Sequence, residues 1–141
     1  AGNYTVTFTA TDNGTPAQND SETVTITVGN VNRPPVLNAI GAKTVDENEL
    51  LEFTITASDP DADTLTYTAS NLPTGASFDN GQQKFNWTSG DGAAGNYTVT
   101  FTVTDDGATT QSDSETITIN VEIPEDTIPP APPVNVHVHI K

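Results

Sequence analysis

The sequence AGNYTVTFTVTDDGATTQSDSETITINV, residues 94–121, predicts a β-hairpin and has a second copy in the same chain. The other copy, residues 1–28, reads AGNYTVTFTATDNGTPAQNDSETVTITV. It lies 93 positions earlier, aligns without a gap and is identical at 20 of 28 positions. In both copies apolar residues alternate with threonine on either side of an acidic loop, and a period of two is typical of strands with one buried face. This repeat interval is too long for a solenoid and indicates tandem globular modules.

The repeat divides the chain into three parts. We expect residues 1–32 to be the last two strands of a preceding repeat with a linker, and residues 33–121 to be a complete module. Residues 122–141 combine a proline-rich linker with an alternating stretch, VNVHVHIK, that predicts one lone β-strand. Within the complete module about seven short strands alternate with turn signals, and no helical period is present. The pattern predicts an all-β, antiparallel β-sandwich.

The inward positions of the predicted strands define a core. Its expected members are Phe53, Ile55, Tyr67, Trp87, Tyr97 and Phe101. The first hairpin also has an apolar stripe, and an isolated two-stranded hairpin is only marginally stable in water. That stripe therefore needs a partner, which stays open between the complete module, the C-terminal strand and another chain.

The composition excludes several classes of function. The chain has 19 acidic and 4 basic residues, a net charge of −15, and no cysteine. This charge excludes nucleic acid as a partner and argues against an anionic membrane surface. No apolar run reaches the roughly 18 residues of a membrane span, so we expect no direct membrane insertion. The complete module has no cysteine and no histidine to act as nucleophile or base, and we expect it to be non-enzymatic.

Two acidic loops are expected to meet at one end of the sandwich. One is residues 58–63, SDPDAD, and the other is residues 104–113, TDDGATTQSD. In a seven-strand sandwich the loops after the second and sixth strands share an end, where the linker also enters. The carboxylates concerned are Asp59, Asp61, Asp63, Asp105, Asp106 and Asp113. Crowded carboxylates favour a bound cation, and an all-oxygen set suits calcium. The alternative is a set of solvated, turn-forming acids.

The chain also resembles a known family. The order NRPPVL, VDENE, ASDPDADTLTY, NLPTGASFD, FNW, AGNYTVTFTVTDDG is similar to the cadherin-like tandem repeats of bacterial and archaeal cell-surface proteins, of the dystroglycan-type cadherin and He_PIG kinds. The resemblance covers residues 33–121 and, through the internal repeat, residues 1–32. It implies an Ig/cadherin-like β-sandwich.

The resemblance also implies weak calcium binding at repeat junctions. The implied metal ligands, which match the family's DxD, D-x-G and Glu-Asn motifs and its linker, are Asp59, Asp61, Asp105, Asp12, Glu47, Asn30 and Asn32. The linker departs from the family pattern D-x-N-D-N, because two acids are missing and Arg33 adds a positive charge. One or two weak sites, rather than a three-ion junction, are therefore implied.

The implied function is a structural or adhesive repeat of a large extracellular surface protein, stiffened by calcium at its junctions. Its partners would be neighbouring repeats of the same protein and a surface ligand or glycan. Two alternatives stay open: a self-assembling extracellular filament subunit joined by strand exchange, and a carbohydrate-binding module. The second alternative needs exposed aromatic rings, whereas most of the nine aromatic residues fall on inward positions.

Overall fold

The computed structural model describes residues 1–125, and every regular element in that range is a strand. The strands are β1 (Gly2–Thr11), β2 (Asn19–Val28), β3 (Val36–Leu37), β4 (Lys43–Asp46), β5 (Leu50–Thr54), β6 (Ala57–Ser58), β7 (Thr66–Ser70), β8 (Ser77–Asp79), β9 (Lys84–Thr88), β10 (Gly95–Thr104) and β11 (Ser112–Glu122). Residues 1–125 contain no apolar helix of the length needed to cross a bilayer. The lone strand predicted near the C-terminus lies outside the described residues.

Strands β3–β11 form the predicted all-β sandwich. One sheet has the order β4-β11-β10-β7, the other has the order β5-β9-β8, and β3 pairs with β6 at the side. The pairings are antiparallel except at one edge, where β4 runs parallel to β11. This exception arises because residues 38–42 carry the chain from its pairing with β6 to a new pairing with β11.

The core lies between the β10–β11 hairpin and the β5-β9-β8 sheet. The inward residues of the hairpin are 0–3% exposed: Val99, Phe101, Val103, Ile117, Ile119 and Val121. The ring of Phe101 meets Phe53, Phe78 and Phe85 edge-on at centroid distances of 5.7, 5.5 and 6.0 Å, a favourable aromatic geometry. The predicted core residues all belong to this cluster; Ile55, Trp87 and Phe101 are buried, whereas Phe53, Tyr67 and Tyr97 are partly buried.

Two carboxylates of β11 fasten the segment that precedes β4. Asp113 Oδ2 accepts a hydrogen bond from the Leu37 backbone N–H at 2.8 Å, and Glu115 accepts those of Ile40 at 2.7 Å and Gly41 at 3.0 Å. These backbone donors lower the pKa of Glu115, because they bind its charged form. Asp113, which the sequence placed among the converging acids, is therefore engaged in holding β3 in place.

The first hairpin repeats the local geometry of the second in a different environment. The register of β1 on β2 pairs Phe8 with Glu22, as β10 and β11 pair Phe101 with Glu115. Every residue of β1 and β2 is nevertheless exposed, and Phe8 is 63% exposed where Phe101 is 0%. The local sequence thus determines the hairpin geometry in both copies, whereas residues 33–93 bury only the second hairpin.

We expect Phe101→Ala to lower the free energy of unfolding by about 3–5 kcal/mol, because it leaves a cavity among three aromatic rings. Phe8→Ala, the matched control at the equivalent position, should change it by no more than about 0.5 kcal/mol. Urea denaturation followed by the fluorescence of the buried Trp87 measures both values. Equal losses for the two variants would show that the first hairpin is also packed.

Candidate functional site

Three segments meet at one end of the sandwich: residues 30–33, 58–64 and 105–111. This end is hereafter the linker pole. The side-chain amide of Asn32 donates to Asp105 Oδ2 at 3.0 Å, and the backbone N–H of Arg33 donates to Asp61 Oδ2 at 2.8 Å. The two acidic loops are joined directly, since the Thr64 backbone N–H donates to the carboxylate of Asp106 at 2.7 Å. The convergence expected from the order of the strands is therefore observed.

Asp105 organises the loop between β10 and β11. The residue is 3% exposed, and its Oδ1 accepts hydrogen bonds from the backbone N–H groups of Gly107 at 3.2 Å and Gln111 at 2.9 Å. Its Oδ2 accepts the Asn32 amide. Both oxygens thus have protein donors, and Asp105 connects the loop to the linker.

Asn32 is inserted between the linker and this loop. Its side-chain amide nitrogen also donates to the backbone carbonyl of Thr109 at 2.9 Å, and the backbone carbonyl of Asn32 accepts a hydrogen bond from the side-chain amide of Gln111 at 2.8 Å. A Cβ atom at Gly107 would overlap the Asn32 side chain, so glycine is required for this close approach. The Oδ1 atom of Asn32 is buried and has no hydrogen-bond donor.

Asp59, Asp61 and Asp63 form a compact acidic triad. One carboxylate oxygen from each lies within 4.8 Å of the other two. Asp59 Oδ1 accepts the backbone N–H groups of Asp61 at 2.7 Å and Asp63 at 3.1 Å, which folds the loop around it. Between them Ala62 has a φ of 62°, a left-handed conformation that residues with a Cβ disfavour.

Two oxygens of the triad are buried without a donor, namely Oδ2 of Asp59 and Oδ2 of Asp63. A buried acceptor that lacks a partner is destabilising. Burial raises the pKa of Asp63, and the charges of the neighbouring aspartates raise it further. The fold therefore holds negative charge at this point against an electrostatic cost.

Arg33 neutralises the charge of the remaining member of the triad, Asp61. Its guanidinium lies 2.7 Å from Asp61 Oδ1 and also donates to the carbonyl of Pro60. These contacts, with the side-chain hydrogen bond foremost, hold the pKa of Asp61 below its usual range. The Asp61 side chain is 10% exposed and that of Arg33 is 58% exposed, so arginine covers Asp61 from the solvent side. Asp59 and Asp63 receive no such ion pair within residues 1–125.

The unsatisfied atoms at the linker pole are all oxygens: Asn32 Oδ1, Asp59 Oδ2 and Asp63 Oδ2. Hard divalent cations such as Ca²⁺ prefer carboxylate and amide oxygens, with water completing the coordination. No histidine or cysteine lies among the described residues, which leaves no soft ligand for zinc or copper there. The cluster of Asp59, Asp61 and Asp63 could therefore hold a metal ion.

Two other sequence-predicted ligands, Glu47 and Asp12, lie away from the linker pole. Glu47 is at the opposite end of the sandwich, where its carboxylate accepts the Ala94 N–H at 2.6 Å and its own N–H donates to the Glu122 carbonyl at 2.8 Å. The full length of β10, about 30 Å, separates that end from Asp105. Asp12 lies in the loop of the first hairpin, where the N–H groups of Gly14 and Gln18 occupy its Oδ1 and lower its pKa. Asn30 is exposed.

The resemblance did not nominate Asp63, although its side chain is one of the least satisfied at the pole. The family motif that it carried over, DxD, ends at Asp61. The spacing of the aspartates in SDPDAD had already placed Asp63 in the wider group of carboxylates expected to converge at this end. Asp106 belongs to the same expected group, although the family motifs did not nominate it, and it joins the two loops through Thr64.

Comparison with known proteins is consistent with this architecture. The model of the He_PIG family, described as "Putative Ig domain", matches residues 34–122. The search of curated proteins gave no match to the chain.

Solved structures of similar fold include cadherin repeats. Mouse clustered PcdhgC3 EC1-3 superposes with a TM-score of 0.61 at 18% identity, over 85% of this chain and 43% of that one. Protocadherin gamma B2 extracellular cadherin domains 1–5 give 0.60 at 22%, over 89% and 27%. A nucleoside hydrolase-related hypothetical protein of Saccharophagus degradans, associated with carbohydrate metabolism, gives 0.55 at 21%, over 64% and 26%. The chain spans less than half of each structure, and these likenesses establish the fold.

Asp63→Asn should raise the melting temperature of the calcium-free protein at neutral pH. A carboxyl group whose pKa is raised by folding stabilises the fold while it is protonated, below its ordinary pKa, and loses that contribution as pH rises through the folded value. The gain should therefore shrink by about pH 3, where the carboxyls become protonated in both states. Thermal melts with a chelator measure it. Asp46→Asn, at an exposed position of β4, is the control, and a lower melting temperature for Asp63→Asn at pH 7 would contradict the assignment.

Proposed function

The chain belongs to the He_PIG family of Ig-like domains, and we propose that it is a calcium-stiffened structural or adhesive repeat of a large extracellular surface protein. The proposal rests on the buried, donor-free oxygens of Asn32, Asp59 and Asp63. One belongs to the linker and two belong to the sandwich. An ion held by all three would therefore fasten the linker to the module and limit the bending of the chain at this junction.

The residues around the proposed site have separate tasks. Bound calcium supplies the positive charge that the triad lacks. Asp105 and Gly107 position the Asn32 side chain, the first by a hydrogen bond and the second by leaving room. Asp59 uses its Oδ1 to fold the acidic loop, which leaves its Oδ2 free for a ligand.

Arg33 argues for one ion rather than several. Its guanidinium already neutralises Asp61 and extends the ion pair into the linker. Arginine is part of the chain and does not dissociate as a bound ion does. Its ion pair therefore holds the linker to the acidic loop in the absence of calcium. We therefore propose one weak calcium site that adds to a junction which arginine partly stabilises.

The neighbours in structure support an extracellular, repeat-to-repeat role. Two of them are described as extracellular parts of protocadherins, and a third is a protocadherin cis-dimer. We propose an extracellular location, with neighbouring repeats as the first partners. The high negative charge favours solubility at a cell surface and binding of cations.

A carbohydrate-binding role has weaker support. Some structural neighbours are described as putative α-galactosidases, at 18–19% identity. Stacking on sugars needs an exposed ring, and Trp87, which lines a depression of about 320 Å³ with Tyr97, is only 3% exposed. The exposed large aromatics are Tyr4 and Phe8, both in the first hairpin.

Calcium titration of the melting temperature tests the proposal. With a dissociation constant of about 10⁻⁴–10⁻³ M, about 10 mM calcium should raise the melting temperature by roughly 5 °C or more. Asp63→Asn should lose most of this shift, because it replaces a charged ligand, whereas Asp46→Asn should keep it. An unchanged melting temperature in the unmodified protein, or an equal shift in Asp63→Asn, would reject the site.

Arg33→Ala gives a second test of the calcium site, in which the calcium affinity should rise rather than fall. It should lower the free energy of unfolding of the calcium-free protein, because the ion pair with Asp61 is lost. It should also raise the calcium affinity, by about fivefold if about 1 kcal/mol of repulsion between arginine and the ion is removed. Lys84→Ala is the matched control, since Lys84 makes an ion pair with Glu52 at the same 2.7 Å but away from the pole. Equal calcium affinity in Arg33→Ala and Lys84→Ala would show that Arg33 does not compete with the ion.

A further inference from the structure

The first hairpin exposes an apolar face that has a buried duplicate in the same chain. The apolar side chains of this face are 37–63% exposed: Tyr4, Val6, Phe8, Val24, Ile26 and Val28. A contiguous face of this kind on a soluble protein marks an interaction surface. The duplicate hairpin shows what covers it.

In the second hairpin the covering layer comes from residues 33–93. The rings of Phe53 and Phe85 pack on Phe101, β7 pairs with the free edge of β10, and β4 pairs with the free edge of β11. This combination of a lid and two edge strands is hereafter the half-sandwich. It satisfies both the apolar face and the backbone edges of the hairpin.

The first hairpin keeps the residues that make these contacts. The inward positions are identical or apolar in both copies, and the largest change is Ala10 in place of Val103. The polar contacts are kept as well. Asp20 and Glu22 correspond to Asp113 and Glu115, whose carboxylates hold backbone N–H groups of the half-sandwich. In the first hairpin Glu22 has no such backbone donor within residues 1–125.

We propose that the exposed face of the β1–β2 hairpin is the docking surface for a second half-sandwich, provided by a further repeat of the same family. The hairpin then forms the last two strands of a module that this half-sandwich begins. This inference rests on the repeat organisation of the proposed function, but not on calcium.

A second copy of this chain is the poorer occupant. Its half-sandwich already holds its own hairpin, in which Phe101 and Ile119 are fully buried. Exchange of one hairpin for the other would expose as much apolar surface as it covers. It would also replace Val103 by the smaller Ala10, so it offers no net gain.

The test extends the full chain by a copy of residues 33–93 placed directly before Ala1. This junction reproduces the native one, because Ala93 is followed by the same sequence, AGNY. Trp87→Phe in the original module leaves the added tryptophan as the reporter of the new module. We expect a cooperative unfolding transition from this reporter. In the extended chain Phe8→Ala should raise its unfolding equilibrium constant on the order of a hundredfold or more.

The controls separate this inference from the calcium proposal. An added segment that carries Phe53→Asp and Phe85→Asp should give no transition, whereas the calcium shift of the original module should be the same with and without the extension. An unfolded reporter in the unmutated extension, or a transition that Phe8→Ala leaves unchanged, would overturn the inference. Sedimentation of the unextended chain should give a monomer, and a dimer that protects the first hairpin would overturn the choice of occupant.

Discussion

Burial of one face of the β10–β11 hairpin is the interaction on which the rest of the structure depends. The inward side chains of the two strands are almost completely removed from water, and the Phe101 ring lies at the centre of the aromatic contacts. Burial of a phenyl ring contributes a few kcal/mol, which is a large part of the stability of a small domain. The hairpin in turn carries Asp113 and Glu115, which fix β3 and the segment before β4, and the Asp105 loop, which receives the linker.

The linker pole places a second constraint on the fold. The packing brings carboxylates together more closely than their charges favour, and it satisfies some of them internally through backbone N–H groups and Arg33. The oxygens that remain unsatisfied lie on both sides of the junction between linker and sandwich. Stability at this point is therefore lower than the packing alone would allow. Sites of local electrostatic cost are candidates for ligand binding.

The sequence predicted the fold class, the core and the meeting of the two acidic loops, because each depends on the period of two and on the order of strands. It did not predict that Asp113 binds the backbone of Leu37, since backbone donors are not visible in a sequence. The resemblance implied Glu47 as a metal ligand without giving its position, and the parallel pairing of β4 with β11 places it at the end opposite Asp105. Identical residues such as Phe8 and Phe101 also differ in burial, because burial depends on strands far away in the chain.

Amide hydrogen exchange, compared between residues 93 positions apart, is the most direct test of this account. Both hairpins have the same register, so the hydrogen bonds between their two strands are matched, whereas the covering layer and the edge pairings with β4 and β7 occur only in the second. Amides of β10 and β11 should exchange only through global unfolding, while their counterparts in β1 and β2 should exchange at least about a hundredfold faster through local opening. Equal, slow exchange in both hairpins would show that the first is covered too, and would contradict the claim that burial by residues 33–93 distinguishes them.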